Sequence, residues 1–303
     1  MASGQERILR RRIKSVQSTK KITRAMELIA ASRIVKAQQR VAAARPYSEQ
    51  ITEVIRNLAA AGAGFDHPLL AERDVRTSGH VVITADRGLA GAYNANMIRT
   101  VERAIVREQR EGTDYTLFIA GKKGVGYFRY RGYKIAADAS GFSEQPRYED
   151  ARELAGELME RYEAGDVDRV DLTYTRFLSM GSQRVVTSRL LPLEAKSLKE
   201  GRADGPQADY EYEPEPTQIL ERLLPRYVEA RVFAAMLDAA ASEQAARQRA
   251  MKSATDNAEE LIKNLSVVAN KLRQASITTE IMEIVGGAEA LRQADREPSG
   301  VPA

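Results

Sequence analysis

The chain has no cysteine and no tryptophan among its 303 residues, and its only histidines are His67 and His80. Without cysteine there is no disulfide, no thiolate chemistry and no Cys-ligated metal, and two histidines are too few for an ordinary zinc site. Surface or structural roles are expected of both. Aromatic residues make up 6% of the chain against 43% hydrophobic residues in all. That balance suits long Ala- and Leu-rich helices better than one large globule. No apolar run approaches the ~18 residues of a membrane-spanning helix. The arginine-rich start hints at a presequence, but Glu6 and the early helical pattern argue against a cleaved leader.

Proline and glycine are missing where it matters most, from Arg226 to Val285. That stretch is built of Ala, Glu, Gln, Lys, Arg and Leu, the strong helix formers. Its in-phase positions run Phe233, Leu237, Ala240, Gln244, Arg247, Met251, Ala254, Ala258, Leu261, Leu265, Val268, Leu272 and Ala275, alternating steps of four and three. This is the a/d seam of a coiled coil. At 1.5 Å per residue the helix spans about 90 Å, too long to be packed inside a domain of this size. Gln244 and Arg247 break the seam, either setting register or marking where a partner helix ends and another protein surrounds the rod.

A second, shorter rod begins near Gln5. Ile22, Met26 and Ile29 share one face, and Leu28, Ala31, Val35, Gln38 and Ala42 an adjacent one; Ala25, Ala30, Ala31 and Ala37 allow close approach. Pro46 is expected to kink this helix, and Gly62 and Gly64 to end it. Residues 1–45 hold twelve Lys and Arg against Glu6 and Glu27, a net charge of +10, so this end should attract something acidic.

Between the rods the period changes. Short apolar runs at His80–Ala85, Tyr115–Ala120, Lys134–Ala137, Val170–Leu178 and Arg184–Leu191 read as strands. Asn94–Glu111, capped by Asn94, Lys122–Arg131 and Tyr148–Tyr162 read as helices. The fold class expected is α/β with a long antiparallel coiled coil, the terminal helices framing an inserted Rossmann-like domain. The divisions are residues 1–64 (helix), 75–200 (α/β domain), 201–217 (loop, with Pro225 a possible kink soon after), 218–291 (helix) and 292–303 (flexible tail).

Candidate chemistry is sparse. Gly121, Gly124 and Gly126 follow a strand, but their spacing departs from the dinucleotide fingerprint, and a tight turn explains them as well. Asp86-Arg87-Gly88-Leu89-Ala90-Gly91 is either a carboxylate loop at a strand end or an Asp-Gly turn. Asp166, Asp168 and Asp171 lack the glycine and twelfth-position Glu of a calcium loop. No phosphate-binding loop, nucleophile set or paired-carboxylate site is present. No catalytic residue, cofactor or metal is therefore expected. A basic coiled coil that binds nucleic acid or acts as a scaffold, and a small-molecule enzyme on the α/β domain, are the alternatives.

Three stretches resemble one family, the γ subunit of the F-type ATP synthase, bacterial type. They are Lys21–Arg33 (KITRAMELIAASR), Asp86–Asn94 (DRGLAGAYN), and the C-terminal run Ser242–Arg247, Met251–Ala258 and Arg273–Ala288 (RQASITTEIMEIVGGA). Ala90 and Ala92 stand where many members have Cys and Gly, and the chloroplast cysteine insertion is missing. The resemblance implies a rotor shaft that couples c-ring rotation to conformational cycling of catalytic β subunits, with α, β, ε and the c-ring as partners. It implies no nucleic acid and no small-molecule substrate, and a peripheral place on the cytoplasmic face of the plasma membrane. It further implies that Met26, Arg247, Gln274, Thr278 and Glu280 face the α and β subunits, and that Tyr210, Tyr212 and Glu213 face ε and the c-ring.

Overall fold

The computed structural model describes residues 2–60, 67–193 and 213–294. Contacts divide the chain into two compact units, Glu27–Ala250 and Met1–Met26 with Met251–Ala303. Tyr210 and Tyr212 lie outside the described residues.

The Glu27–Ala250 unit is built on a five-stranded sheet. Its strands are β1 (Thr77–Ile83), β2 (Asp114–Ala120), β3 (Ile135–Ala139), β4 (Arg169–Phe177) and β5 (Gln183–Leu191). Their order is β3-β2-β1-β4-β5, parallel throughout except for β5, which runs antiparallel to β4. Successive side chains point to opposite faces, and both faces are apolar. Val82, Leu117 and Ile119 turn to α2 (Tyr93–Arg110) and α3 (Lys122–Tyr130), meeting Met97, Val101, Ile105 and Phe128. Val81, Ile83 and Phe118 turn to the other side, where α4 (Tyr148–Glu163) brings Leu154 and Leu158. On that side α1 (Ala2–Ala60) adds Ile51, Ile55 and Leu58, and α5 (Pro216–Ala294) adds Leu224, Val228, Val232 and Met236. Burial on both faces explains why the parallel strands read as short continuous apolar runs.

Two expectations change in detail. Asn94 does not cap α2; Ala92 precedes the helix, and Asn94 Oδ1 instead accepts the Ala85 N–H at 3.0 Å. The side chain ties the helix back to the end of β1. Before Pro46 the buried residues of α1 are Glu27, Ala30, Ile34 and Ala37, which fall between the two expected faces, whereas Ile22, Leu28, Ile29 and Val35 are exposed. Of the small residues expected to allow close approach, Ala30 and Ala37 are buried and Ala25 is exposed. Both long helices run on through their internal prolines, Pro46 and Pro225.

In the other unit the two helices pair antiparallel. Thr23 and Thr255 share a hydroxyl hydrogen bond of 2.8 Å, and Lys20 reaches Glu259 at 3.2 Å, one helix descending as the other ascends. Leu9, Ile13, Val16, Lys20 and Thr23 form the inward stripe of α1. The inward stripe of α5 is Met251, Thr255, Ala258, Ile262, Leu265, Ala269, Leu272 and Ser276. Every second seam position is as expected, and the others lie one residue later. Leu261 and Val268 are 39% and 47% exposed. The sequence has apolar side chains at both candidate positions (Leu261-Ile262, Val268-Ala269), so the spacing alone leaves two phases open. The Thr23–Thr255 bond holds the phase adopted.

Candidate functional site

In an open α/β sheet the crevice where strand order reverses, at the carboxyl ends of the strands, is where a ligand would be expected. Here it lies past β1 and β4, and α5 fills much of it. Ser242 Oγ donates to the Thr175 carbonyl at 2.9 Å, the Tyr93 hydroxyl donates to the Ala239 carbonyl at 3.3 Å, and Arg247 Nη2 donates to the Gly88 carbonyl at 3.3 Å. Ala85, Ala90 and Tyr93 pack against Ala246. A cavity of about 380 Å³ remains beside this contact, with Tyr93, Asn96, Gln183 and Arg249 among its polar walls.

The loop after β1 is held by Asp86. Its Oδ1 accepts the Lys122 N–H at 3.0 Å, and its Oδ2 accepts those of Gly141 and Ser143 at 2.9 and 3.0 Å. Its own N–H donates to Ser143 Oγ at 2.9 Å. A carboxylate engaged by three backbone donors ties together the loops that follow three adjacent strands, so Asp86 takes the structural of its two readings. At the loop's tip Leu89 sits at φ 63° with its side chain 61% exposed. A non-glycine residue in this left-handed region costs roughly 1–2 kcal/mol.

Beneath the tip is a charged cluster. Glu243 is 1% exposed and accepts from Arg247 Nη2 at 2.6 Å. Burial pushes the Glu243 carboxyl up, and the Arg247 guanidinium offsets part of that shift. Glu144 gathers three guanidinium groups: Arg33 in direct contact, and Arg87 and Arg247 at 3.8 Å each. Sequence reasoning missed Glu144 and counted Arg33 only as part of the basic helix; the two lie 111 residues apart, so their pairing carries no local signal. Gln244 is buried beside them, and its side-chain amide meets no partner among the described residues.

Gly121 and Gly124 have a packing cause, whereas a Cβ on Gly126 would meet nothing within 4 Å. Gly121 has φ 101°, and a Cβ there would meet the Thr84 carbonyl oxygen at 2.1 Å. A Cβ on Gly124 would meet Thr84 Oγ1 at 2.7 Å, the same oxygen that accepts the Gly124 N–H at 3.0 Å. Helix α3 therefore starts pressed against the end of β1. The three aspartates are accounted for likewise. Asp168 Oδ2 accepts the Arg76 and Thr77 N–H groups, Asp171 pairs with Arg169, and Asp166 with Arg161. No group of residues that could hold a metal ion occurs among the described residues.

His80, placed by its sequence at a strand start, is buried and shares a 2.8 Å hydrogen bond between its Nε2 and Glu108 Oε2. Burial alone would push the Glu108 carboxyl up, but His80, Arg169 and Ser78 together hold it below its ordinary value. The cluster pins α2 to the sheet.

The residues proposed to face partners are scattered. Gln274, Thr278, Glu280 and Glu213 are exposed, Met26 is half-buried and Arg247 is buried. Thr278 Oγ1 donates to the Gln274 carbonyl at 2.9 Å, one turn back. On the same stretch of α5, Ile277, Ile281, Met282, Ile284, Val285 and Leu291 are 49–71% exposed.

Terminal helices framing a Rossmann-like sheet define the class, a central-stalk fold. A chain of the Euglena gracilis mitochondrial ATP synthase (OSCP/F1/c-ring, rotational state 3) has this fold, with a TM-score of 0.69 at 18% identity and 99% of each chain covered. So has a chain of the Tetrahymena thermophila mitochondrial ATP synthase central stalk and c-ring, with a TM-score of 0.60 at 24% identity, covering 77% of this chain and 99% of that one. The chain also matches the ATP synthase family over residues 5–291. It is 53% identical to the ATP synthase gamma chain of Frankia casuarinae, over 95% of this chain and 98% of that one. Against the ATP synthase gamma chain of Mycolicibacterium smegmatis the identity is 49%, over 94% and 97%. The chain belongs to the ATP synthase gamma chain family. None of these relatives supports the nucleic-acid or scaffold alternative.

Proposed function

We propose that this chain is the rotor shaft of a proton-translocating F-type ATP synthase, without a catalytic site of its own. In this reading α5 and α1 turn inside a ring of α and β subunits, and the Rossmann-like domain meets ε and the c-ring. The complex would lie at the cytoplasmic face of the plasma membrane. No helix among the described residues is long and apolar enough to cross a membrane, so the chain's attachment there would be peripheral.

The observation that carries this reading is the apolar surface of α5 beyond Ser276. Six large aliphatic side chains stand open on a helix that no described part of the chain covers. Such a surface calls for a sleeve. Gln274, Thr278 and Glu280 lie on this stretch or next to it, and Met26 on the basic helix, and we assign them to contacts with the ring. Arg247 would act through the Gly88–Leu89 loop it holds. Glu213, with Tyr210 and Tyr212, is assigned to ε and the c-ring.

The mechanism is differential stabilisation. An asymmetric shaft presents a different face to each catalytic subunit and so favours a different conformation in each. Turning the shaft exchanges those preferences, and product release becomes the driven step. Reconstitution with the cognate α and β subunits tests this. One copy of the chain per three αβ pairs, with ATP hydrolysis and rotation, is expected; failure to assemble would overturn the reading. A Met26→Lys variant adds a cation to the basic collar and should lower coupling efficiency, which ATP-driven proton pumping measures.

A further inference from the structure

A cavity of about 700 Å³ lies within the Glu27–Ala250 unit, walled by α1, α4 and α5. Its volume falls in the range of small-molecule pockets, and it is separate from the crevice that α5 fills. Three aromatic rings line it, those of Tyr47, Tyr148 and Phe233; the last two meet edge to face with centroids 5.7 Å apart. The remaining helix positions facing the space include Ala44, Ala230 and Ala234, whose side chains are too short to close it.

The rim is cationic. Arg152, Arg222 and Arg226 line the mouth and are solvent-exposed, and among the described residues no carboxylate comes within ion-pair distance of any of them. The one carboxylate in the lining, Glu229, accepts the Tyr148 hydroxyl at 2.6 Å. Burial, then Glu229, pushes that phenol well above its ordinary value, so it stays a donor to Glu229. Three guanidinium groups over a concave apolar floor focus a positive field at the opening.

We propose that this cavity binds an amphipathic organic anion, its carboxylate or phosphate head against Arg152, Arg222 and Arg226 and its apolar body over Tyr47, Tyr148 and Phe233. Guanidinium groups match the planar, two-oxygen edge of such heads. An inorganic anion would leave the aromatic floor wet, and a neutral apolar molecule would gain nothing from the rim.

The test is a fluorescence titration of the isolated full-length chain with a dansyl-labelled fatty acid, so its outcome does not depend on assembly with other subunits. Saturable one-to-one binding is expected. Decanoate and dodecyl phosphate should displace the probe, and inorganic phosphate and decanol should not. If decanoate competes and dodecyl phosphate does not, the head is a carboxylate; the reverse pattern assigns a phosphate. The exposed double substitution Arg222→Glu/Arg226→Glu should weaken binding about tenfold or more, the scale of lost charge-assisted hydrogen bonds. Tyr47→Ala should weaken it less, with the circular dichroism spectrum unchanged in both variants. Binding that is absent, insensitive to both variants, or displaced equally by inorganic phosphate overturns the proposal.

Discussion

The two halves of α5 differ in a way that helix propensity does not explain. From Val228 to Arg247 the helix is buried on nearly every side, and much of what it buries is alanine: Ala230, Ala235, Ala239, Ala240, Ala241 and Ala245. From Ile277 to Arg292 every residue is exposed, yet this half carries the larger aliphatic side chains. Large aliphatic side chains stand in the open there, against the usual partition. The buried half has neighbours from its own chain on all sides, and its alanines let backbones approach closely between the larger Val228, Val232, Met236 and Leu237. The exposed half has large side chains and, among the described residues, nothing to bury them against. One half of the helix is finished by its own chain, and the other is shaped for a surface that another chain supplies.

Removing the charge pair of the buried half should have the largest effect. Arg247→Ala leaves Glu243 buried without its partner, and breaking such a pair costs about 3–5 kcal/mol. Urea denaturation followed by circular dichroism should show this loss. The sign with pH follows from the Glu243 carboxyl, which burial has already raised. Without Arg247 it rises further, so the folded state holds the proton more tightly than the unfolded chain. The deficit should then be greatest at neutral pH and shrink as pH falls. A loss independent of pH would show that the arginine packs rather than pairs.

Volume sharpens the same contrast. Ala241 is fully buried and Ala275 exposed, although both are alanines in one helix. Ala241→Leu should cost about 1–3 kcal/mol through overpacking, and Ala275→Leu about 0.5 kcal/mol or less. Equal effects would mean that the two halves are not packed differently.

Asp238, within the buried half, gives a smaller and more specific effect. Burial raises its carboxyl to about 6, partly offset by Arg176 and Arg45. An acid whose folded value is raised binds its proton more tightly when folded. Its contribution is therefore most favourable at low pH and is lost as pH rises from about 3.8 to about 6. Asp238→Asn should leave stability at pH 4 nearly unchanged and increase it at pH 7. A melting-temperature series across that window checks the slope.

Much of the fold was legible because its signals are local. Strands and helices of the inserted domain announce themselves by period, and the absence of glycine and proline marks both rods. What stayed hidden depends on contacts distant in sequence. Leu261 and Ile262 are nearly interchangeable in pattern, and which of them faces inward depends on the pairing with α1, where Thr23 meets Thr255. Glu144 looks like any polar loop residue until the fold sets three arginines around it. Among the proposed partner contacts, Gln274, Thr278 and Glu280 came from resemblance, since a polar residue on an exposed helix carries no pattern of its own. Arg247 interrupts the seam visibly, but the loop it grips could not be read from spacing.

The smallest effect on stability should come from the exposed half, where it decides most about function. Ile281→Ser with Ile284→Ser replaces side chains that are 54% and 71% exposed. Little in the isolated chain changes when they go, so the denaturation midpoint should shift by about 0.5 kcal/mol or less. Assembly is another matter, because an interface is held mainly by its few large, well-covered side chains. In the reconstituted complex with α and β subunits, the same pair should weaken retention of the chain on a sizing column and lower ATP hydrolysis coupled to rotation. If the variant is as stable as the parent and assembles as tightly, the apolar face of α5 has no sleeve, and the contrast between its halves loses its functional meaning.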